Sequence, residues 1–295
     1  MSTLSQSSKT RESRNNGRPL ISRKAKTTLF LLAMTVLAVI WILPLIWMFS
    51  LSLSSNGALQ SDTTSLVPIE FTFENLVGVI TGGQTVRWLF NSVVVTGMTT
   101  VITLILSAMA GYAFARIKFV GKKVVFPLVF AGLMVPREAM FVPLFLMFAE
   151  SEMHNTYQAL ILPRIAAPLG VFIMTQFMAA IPDEIEEAAR VDGASRWAIF
   201  WKIMLPMSAP ALTALGIFTY ILTWNDFLWP LVSATQREMF TITTGLASLQ
   251  GNFAQATELG SLMARGVFAS LPLLILFLIF QKHLVRGISL GSGSK

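Results

Sequence analysis

Two groups of residues in this sequence carry side chains that could act on a small molecule. Arg137 and Glu138 lie side by side within a long apolar run, and Trp224, Asn225 and Asp226 lie near the end of another. If the first run is one continuous helix, its charged pair lies near the middle of a membrane, where charges are costly and usually face a cavity or a partner. The second group suits a sugar, because indole rings stack on apolar sugar faces and hydroxyl groups need hydrogen-bond donors and acceptors.

A structural interpretation competes with each of these functional ones. The first helix could be broken near Pro136, so that Arg137 and Glu138 satisfy the freed backbone groups at a buried break. Trp224 could belong to an aromatic belt at the membrane interface, with Asp226 in water. From the residues alone, both alternatives stay open.

The chain contains no arrangement of residues that is typical of an enzyme. It has no GxxxxGK[ST] phosphate-binding loop and no HExxH motif, and no GxSxG stands at a strand-to-helix turn. The absence of cysteine excludes disulfides, thiolate metal ligands and cysteine nucleophiles, and His154 and His283 are too few for a multi-histidine metal site. We therefore expect this chain to bind no cofactor and to hydrolyse no ATP itself.

The composition is that of an integral membrane protein. Of the 295 residues, 54% are hydrophobic and 13% are charged, compared with about 25% charged residues in soluble domains. The net charge of +7 is spread over segments that flank apolar runs. Because nucleic-acid binding needs a basic surface on a soluble fold, no nucleic-acid partner is expected.

Six apolar runs are long enough to cross a bilayer. They cover approximately residues 28–50, 88–114, 124–148, 159–180, 207–232 and 259–280. The first exceeds a signal-peptide core and is therefore read as an uncleaved span. Arg164 and Arg265, near the outer ends of the fourth and sixth runs, are explained by snorkelling to lipid head groups. The sequence thus predicts an all-α integral membrane protein with six transmembrane helices.

The distribution of lysine and arginine predicts the orientation. These residues are concentrated before the first span, between spans two and three, between spans four and five, and after span six, whereas the other side has only Arg87 and Arg237. By the positive-inside rule both termini are cytoplasmic. The expected organisation is a cytoplasmic basic tail (residues 1–27), a six-span transmembrane domain (28–282) and a cytoplasmic C-terminal tail (283–295).

A charged segment, residues 182–206, separates the fourth and fifth spans and is called the island below. Asp183 with Glu186 three residues later is like a capping box, and Glu186 and Arg190 stand one turn apart in the favourable order. Gly193 comes where a left-handed residue would end the helix. A second helical pattern follows it. The sequence therefore predicts two short helices that meet at a glycine.

The spacing of the island resembles the EAA loop in the membrane subunits of ABC importers. The matching positions are Glu187-Ala188-Ala189, Gly193 and Ile203-x-Leu205-Pro206. Similarity to the second permease subunit of carbohydrate ABC importers, the maltose and glycerol-phosphate type, extends over nearly everything from Thr28 onward. It includes Gly111-Tyr112-Ala113-Phe114-Ala115-Arg116 and the segment from Trp224-Asn225 to Trp229-Pro230.

This resemblance implies a permease subunit of an ATP-driven importer, which moves a sugar or related polyol from an external binding protein into the cytoplasm by alternating access. The implied partners are a homologous permease, two ATPase subunits that use ATP and Mg, an extracytoplasmic solute-binding protein and the lipid bilayer of a bacterial or archaeal cytoplasmic membrane. The implied ATPase-coupling residues are Glu186, Glu187, Ala188, Ala189, Asp192, Gly193, Leu205 and Pro206. The implied substrate pathway includes Arg137, Glu138, Trp224, Asn225 and Asp226.

In this family picture the helix from Asp183 to Ala194 docks in a cleft of an ATPase. Glu187 is the charged contact, Ala188 and Ala189 allow close approach, and Gly193 turns the chain. Two alternatives remain: an ATP-independent secondary transporter or channel, and an ABC importer for a solute other than a sugar. The first would need a self-sufficient set of intramembrane charges, often on inverted repeats, and this sequence shows few such charges and no repeat.

Overall fold

The structure, a computed structural model, describes residues 23–250 and 258–292. Residues up to Ile46 form one compact unit and residues from Trp47 onward form another. In the described part the chain is helical apart from turns, short irregular segments and one isolated β-bridge between Ser54 and Phe71. This confirms the predicted all-α fold. The predicted N-terminal tail falls almost wholly outside the described residues.

The helices follow one another with short connections. In chain order they are α1 (Arg23–Ser52), α2 (Glu74–Thr81), α3 (Gln84–Arg116), α4 (Lys122–Ala131), α5 (Phe141–Glu150), α6 (Tyr157–Ile165), α7 (Pro168–Ala179), α8 (Asp183–Val191), α9 (Arg196–Ile199), α10 (Leu205–Met207), α11 (Ala209–Trp224), α12 (Leu228–Ser233), α13 (Ile242–Gln250) and α14 (Leu259–Ser292). Between α9 and α10 the chain is π-helical over Phe200–Met204. The stretch Arg196–Met207 is therefore continuous and is called the second island helix below.

Three helices, α1, α3 and α14, are long and apolar enough to cross a membrane without interruption. Three further candidate spans are bent pairs: α4 with α5 by 95°, α6 with α7 by 47°, and the second island helix with α11 by 74°. With each bent pair counted as one span, the described residues contain six candidate spans, the number that the sequence predicts. The third and fourth spans are each interrupted, the third near Pro136 as one of the two alternatives allowed, and the fifth ends its main helix at Trp224, earlier than expected.

Proline accounts for two of these breaks. Val135 precedes Pro136 and has an extended ψ of 115°, and Ala167 precedes Pro168 with a ψ of 87°. A proline ring clashes with a helical residue before it, which forces that residue into an extended conformation. Pro136 then adopts ψ 135° before a 3₁₀ turn, and Pro168 begins α7 at its first position, where its missing N–H costs nothing.

The helix α3 lies at the centre of the unit that begins at Trp47. It packs against α6, α7 and α11, and its buried face consists largely of small or hydroxyl-bearing residues. At Gly111 the approach of α7 is so close that an added Cβ would lie 2.6 Å from Cβ of Met174. Small residues therefore permit the helix contact, as is common in membranes.

The beginning of α3 anchors the connection between the fifth and sixth spans. Trp88 Nε1 donates to the carbonyl of Arg237 at 2.8 Å, and Asn91 Nδ2 donates to that of Glu238 at 2.8 Å. Ser92 Oγ accepts a hydrogen bond from the backbone N–H of Ile242 at 2.7 Å. The stretch between the fifth and sixth apolar runs, residues 233–258, thus contains the anchored helix α13, while residues 251–257 lie outside the described part.

The predicted C-terminal tail continues the last helix. The helix α14 runs to Ser292, within the segment predicted to be the tail. Residues 293–295 lie outside the described part of the chain. The boundary expected at residue 282 therefore does not coincide with the end of a helix.

Candidate functional site

The island folds as two helices joined by a left-handed glycine. Helix α8 ends at Val191, Gly193 follows with φ +80°, and Ser195 begins the next helix by accepting a hydrogen bond on Oγ from the N–H of Ala198 at 3.2 Å. Only glycine adopts such a φ without steric cost. The predicted pair of helices and the glycine turn are therefore present.

The predicted capping box at the start of α8 is wrong. Pro182 occupies the N-cap position, and no side chain caps the helix there. The carboxylate of Asp183 instead forms an ion pair with Arg116, at the end of α3. Asp183 therefore pairs with a cation from another helix, whereas the local sequence pattern predicted that it would cap the backbone of α8.

The two faces of α8 have different surroundings. Its outward face carries exposed residues at helical spacing, namely Glu184, Glu187, Ala188 and Val191. Val191 is 87% exposed, which is unusual for an apolar side chain on a charged helix. The inward face carries Glu186 and Ala189, both buried. The two alanines of the motif therefore lie apart: Ala188 is available to a partner, whereas Ala189 packs in the core of this chain.

Arg116 connects α8 to the rest of the fold. Its side chain is 7% exposed, and its Nε and Nη2 donate to the carbonyl of Met178 at 3.1 and 2.7 Å. It also donates to the carbonyl of Ile181 and pairs with Asp183. A single guanidinium thus joins the end of α3, the end of α7 and the beginning of α8, which its fork of donors makes possible.

Glu186 is the second buried link. Tyr112 donates its hydroxyl to Oε1 of Glu186 at 3.3 Å, and Nε of Arg116 lies 3.9 Å from Oε2. Arg190 forms the predicted ion pair with Glu186 one turn along α8. Glu186 is therefore a structural acid held inside this chain, while its neighbour Glu187 is exposed. The sequence analysis placed Arg116 in the segment that resembles the family but did not predict its contacts with α7 and α8.

The rest of the island is the second island helix, which leads into the fifth span. Ile199, Phe200 and Met204 are buried in a core with α3 and α7, and Trp197 and Trp201 are exposed. The predicted coupling residues Leu205 and Pro206 belong to this second island helix, whereas Asp192 and Gly193 are exposed beside α8. The coupling residues predicted from the motif therefore do not form one surface.

The predicted pathway residues of the third span lie at a helix break. Arg137 and Glu138 begin the 3₁₀ turn that follows Pro136, and both side chains are exposed on this chain. The span is interrupted, so the expectation of a charged pair on a continuous helix is wrong. The break is not buried within this subunit, because the whole stretch 131–140 is exposed on the chain itself.

Neither interpretation of Trp224 agrees with the structure. Trp224 is buried, its Nε1 donates to the carbonyl of Ala269 at 3.2 Å, and its ring stacks on Tyr220 with centroids 5.9 Å apart. Trp229 is also buried and donates to the carbonyl of Ala159 at 2.8 Å. Both indoles are core residues, neither free to stack on a sugar nor part of an interfacial belt. Asn225 is exposed and donates to a carbonyl of its own helix.

Asp226 lies in the break between α11 and α12 and is paired with Arg164. The side chains are 14% and 19% exposed, so the expectations of Asp226 in water and of Arg164 snorkelling to head groups are both wrong. Arg137 lies close enough to act electrostatically on the same carboxylate. The breaks in spans three, four and five therefore contribute charges to one region. Among the described residues no cluster of His, Asp or Glu is suited to a metal ion.

Interrupted candidate spans that bring charged residues together, and a helix with an exposed outer face between the fourth and fifth spans, are typical of a membrane transporter subunit. The family model described as "Binding-protein-dependent transport system inner membrane component" matches residues 104–290. The chain belongs to this family and is a permease subunit of an ABC importer, as the island motif predicted. It is a transporter subunit and not an enzyme.

Relatives with assigned transport systems cover most of the chain. The arabinooligosaccharides transport system permease protein of Halalkalibacterium halodurans is 36% identical over 258 residues, covering 86% of this chain and 92% of that protein. The trehalose transport system permease protein of Mycobacterium tuberculosis is 33% identical and covers 85% and 92%. The trehalose/maltose transport system permease protein of Thermococcus litoralis is 33% identical and covers 90% and 96%.

Solved structures share the fold. A chain of a bacterial ABC transporter involved in the import of the acidic polysaccharide alginate superposes with a TM-score of 0.77 at 22% identity, covering 90% of this chain and 99% of that one. A chain of a bacterial alginate ABC transporter in complex with an alginate pentasaccharide-bound periplasmic protein gives a TM-score of 0.59 at 20% identity. At these identities the likeness concerns the fold.

Proposed function

We propose that this subunit carries an oligosaccharide or related sugar into the cytoplasm. The conformational change that drives transport is transmitted to it at α8 by a separate ATPase subunit. The observation that carries the proposal is the division of α8 into two faces. Its inner face is fixed to α3 and α7 through Glu186 and Arg116, and its outer face exposes Glu187 and Val191. A helix fixed on one side and open on the other is suited to transmit a push from a partner.

The nature of the cargo is supported by the relatives. The three described above take their names from arabinooligosaccharides, trehalose, and trehalose with maltose, and each aligns over more than four fifths of this chain. The family description supports an external solute-binding protein as the donor. The orientation, with the island and both termini in the cytoplasm, is supported by the distribution of lysine and arginine.

A homologous second permease is supported by the exposed break of the third span. Arg137 and Glu138 are exposed at the break of a candidate span, and charges within a span are expensive against lipid. We therefore place this surface against the partner permease, along a polar pathway shared by the two subunits. Asn225, which is also exposed, lies beside Asp226 and belongs to the same proposed pathway. Trp224 is left out because its indole is buried in the core.

In the proposed mechanism, ATP and Mg bind to two partner ATPase subunits, whose closure moves α8 through Glu187, Ala188 and Val191. Because Arg116 connects α8 with α3 and α7, those helices follow the movement. The interrupted spans then rearrange about their breaks and expose the pathway to each side in turn. Gly193 lets the chain turn sharply between α8 and the second island helix.

The test is the ATPase activity of the whole complex, with this subunit co-purified with its partner permease and ATPase in lipid vesicles. We expect one sugar-loaded binding protein out of a panel to stimulate hydrolysis, and Glu187→Lys to remove the stimulation while leaving basal hydrolysis and membrane insertion intact. Glu150→Lys, an exposed charge reversal at the far end of the third span, is the matched control and should keep the stimulation. Sugar uptake that proceeds without ATP would establish a secondary transporter instead.

A further inference from the structure

Two hydrophobic cores follow one another along α3. The island core contains the second half of α3 with α7, α8, the second island helix and the start of α11. The distal core contains Val95 of α3 with residues of α5, α6 and α12. In the fourth and fifth spans, the helix on one side of the break therefore belongs to the island core and the helix on the other side to the distal core. We call α5, α6 and α12 the distal segments.

Trp229 of α12 lies within the distal core and is 2% exposed. Its ring meets Phe141 and Phe148 edge-on, with centroids 5.6 and 5.7 Å apart. Both phenylalanines belong to α5. The indole Nε1 donates to the carbonyl of Ala159 in α6 at 2.8 Å. One side chain of α12 therefore contacts both of the other distal segments.

The carbonyl of Ala159 lacks its usual partner within the helix. In an α-helix it would accept a hydrogen bond from the N–H of the residue four positions later. That residue is Pro163, which has no N–H, although α6 stays helical from Tyr157 to Ile165. Ala159 is 0% exposed, and a buried carbonyl left unpaired is costly. The indole of Trp229 thus replaces the helix hydrogen bond that Pro163 removes.

The same two segments are joined a second time by the ion pair of Arg164 with Asp226. Arg164 directly follows Pro163, and Asp226 lies three residues before Trp229. The backbone N–H of Trp229 also acts on the carboxylate of Asp226. The fourth and fifth spans are therefore connected at two points, the indole bond and the ion pair. Two points fix both the distance and the tilt between two helices, whereas one point leaves them free to rotate.

We propose that Trp229 is a positioning residue for transport, whose indole N–H holds α6 and α12 together so that the distal segments move as one body against the island core. The inference rests on the proposed function for the energy source of transport. Pro163 makes the connection specific, because it leaves on α6 a carbonyl that a donor from another helix must satisfy. A displacement of the fifth span is then passed to the fourth, and with it the ion pair beside the proposed pathway keeps its geometry.

The test compares Trp229→Phe with the same change combined with Pro163→Ala, in the whole complex in lipid vesicles. Phenylalanine keeps an aromatic ring but donates no hydrogen bond, and alanine at position 163 returns an N–H to the carbonyl of Ala159. We expect Trp229→Phe to lower the unfolding temperature and to reduce sugar uptake about ten-fold, the factor that corresponds to one buried hydrogen bond. The double variant should recover the unfolding temperature but not the uptake, because its α6 is satisfied internally and no longer bound to α12.

Two controls separate the indole bond from the proline and from indoles in general. Pro163→Ala alone should keep normal uptake, because the bond from Trp229 remains. Trp224→Phe removes another buried indole that donates to a helix carbonyl, that of Ala269. Adding Pro163→Ala should not restore the unfolding temperature of Trp224→Phe, because the carbonyl concerned lies on a different helix.

Spin labels report the position of the segments independently of transport. Because the chain has no cysteine, labels can be placed at Leu162→Cys in α6 and Leu231→Cys in α12, both exposed positions. With Trp229 present we expect a narrow distribution of distances between the labels that is the same with and without ATP. Trp229→Phe should broaden this distribution, and the double variant with Pro163→Ala should leave it broad.

Recovery of uptake together with the unfolding temperature in the double variant would overturn the proposal, since Trp229 would then serve only to satisfy a carbonyl. An unfolding temperature that is not recovered, or loss of uptake in Pro163→Ala alone, would also overturn it. Label distributions that are equal with and without Trp229 remove the positioning role even where uptake is driven by ATP. Uptake without ATP, with the expected label distributions, removes only the ATP-driven mechanism.

Discussion

Arg164 and Asp226 form a largely buried ion pair that joins the helix breaks of the fourth and fifth spans. Arg164 belongs to the last turn of α6, and Asp226 lies in the break after α11. The pair therefore connects the fourth span with the fifth at the helix break of each span. Nε of Arg164 is buried without a hydrogen-bond partner, and the ion pair is made through Nη2.

Removing one member of this pair should destabilise the subunit strongly. Arg164→Ala leaves the Asp226 carboxylate unpaired in a buried site, for which about 3–5 kcal/mol is expected. Arg164→Leu together with Asp226→Leu removes both charges and should recover much of that loss. The measurement is the unfolding temperature of the purified complex in detergent. Equal losses in the single and double variants would show that the two charges do not stabilise each other.

Replacing Arg116 should uncouple hydrolysis from transport more than it lowers stability. Arg116→Lys keeps the charge but cannot reach the carbonyls of Met178 and Ile181 and the carboxylate of Asp183 together. We expect the stimulated ATPase activity to persist while the sugar transported per ATP falls by about five-fold or more, within the usual range of coupling energies. Lys118→Gln, an exposed cation two residues away, is the control. An unchanged transport ratio in Arg116→Lys would remove Arg116 from the path between α8 and α3.

Two glycines of α3 provide a matched test of helix packing. A Cβ at Gly111 would lie 2.6 Å from Cβ of Met174, whereas nothing lies within 4 Å of one at Gly97. Gly111→Ala should therefore destabilise by about 1–3 kcal/mol through overpacking. Gly97→Ala should be neutral or stabilise by up to about 1 kcal/mol through helix propensity. The measurement is the unfolding temperature of each variant. Similar values for the two variants would show that α3 and α7 can move apart at Gly111 without loss of stability.

The glycine between the two island helices should tolerate asparagine better than a β-branched residue. Gly193 has φ +80° and open space around its Cα, so a substitution acts through the backbone and not through a clash. Asparagine adopts left-handed conformations more readily than valine does. We expect Gly193→Asn to keep most of the stimulated ATPase activity and Gly193→Val to lose it, with the basal rate unchanged in both. Equal activity of both variants would show that the turn need not be left-handed.

Periodicity and composition predicted the helical class and the number of spans, because a helix must be about 20 apolar residues long to cross a bilayer. They allowed the break near Pro136 only as one of two alternatives and did not predict the breaks in the fourth and fifth spans. Pro127 and Pro163 lie inside helices, whereas Pro136 lies at a break. Which proline interrupts a helix depends on neighbouring helices that can satisfy the freed carbonyl groups, and a single sequence does not contain that information.

The sequence predicted the glycine turn and one local ion pair of the island, but it did not predict which distant residues the island contacts. Glycine spacing and the pair of Glu186 with Arg190 are local features, and both are present. The pairing of Asp183 with Arg116 spans sixty-seven positions and replaced the predicted capping interaction. Burial of Trp224 likewise depends on α14, which supplies the acceptor at Ala269.

The helix α3 is uninterrupted over 33 residues, about 50 Å, and is engaged at both ends. Trp88, Asn91 and Ser92 bind the segment before α13 at one end, and Tyr112 and Arg116 bind α8 at the other. A continuous helix of this length provides a physical connection between its two ends, and any coupling that it carries is reciprocal by thermodynamic linkage. Whatever factor an ATPase bound at α8 imposes on the affinity of the outer loops, a ligand bound to those loops must impose on the ATPase in return.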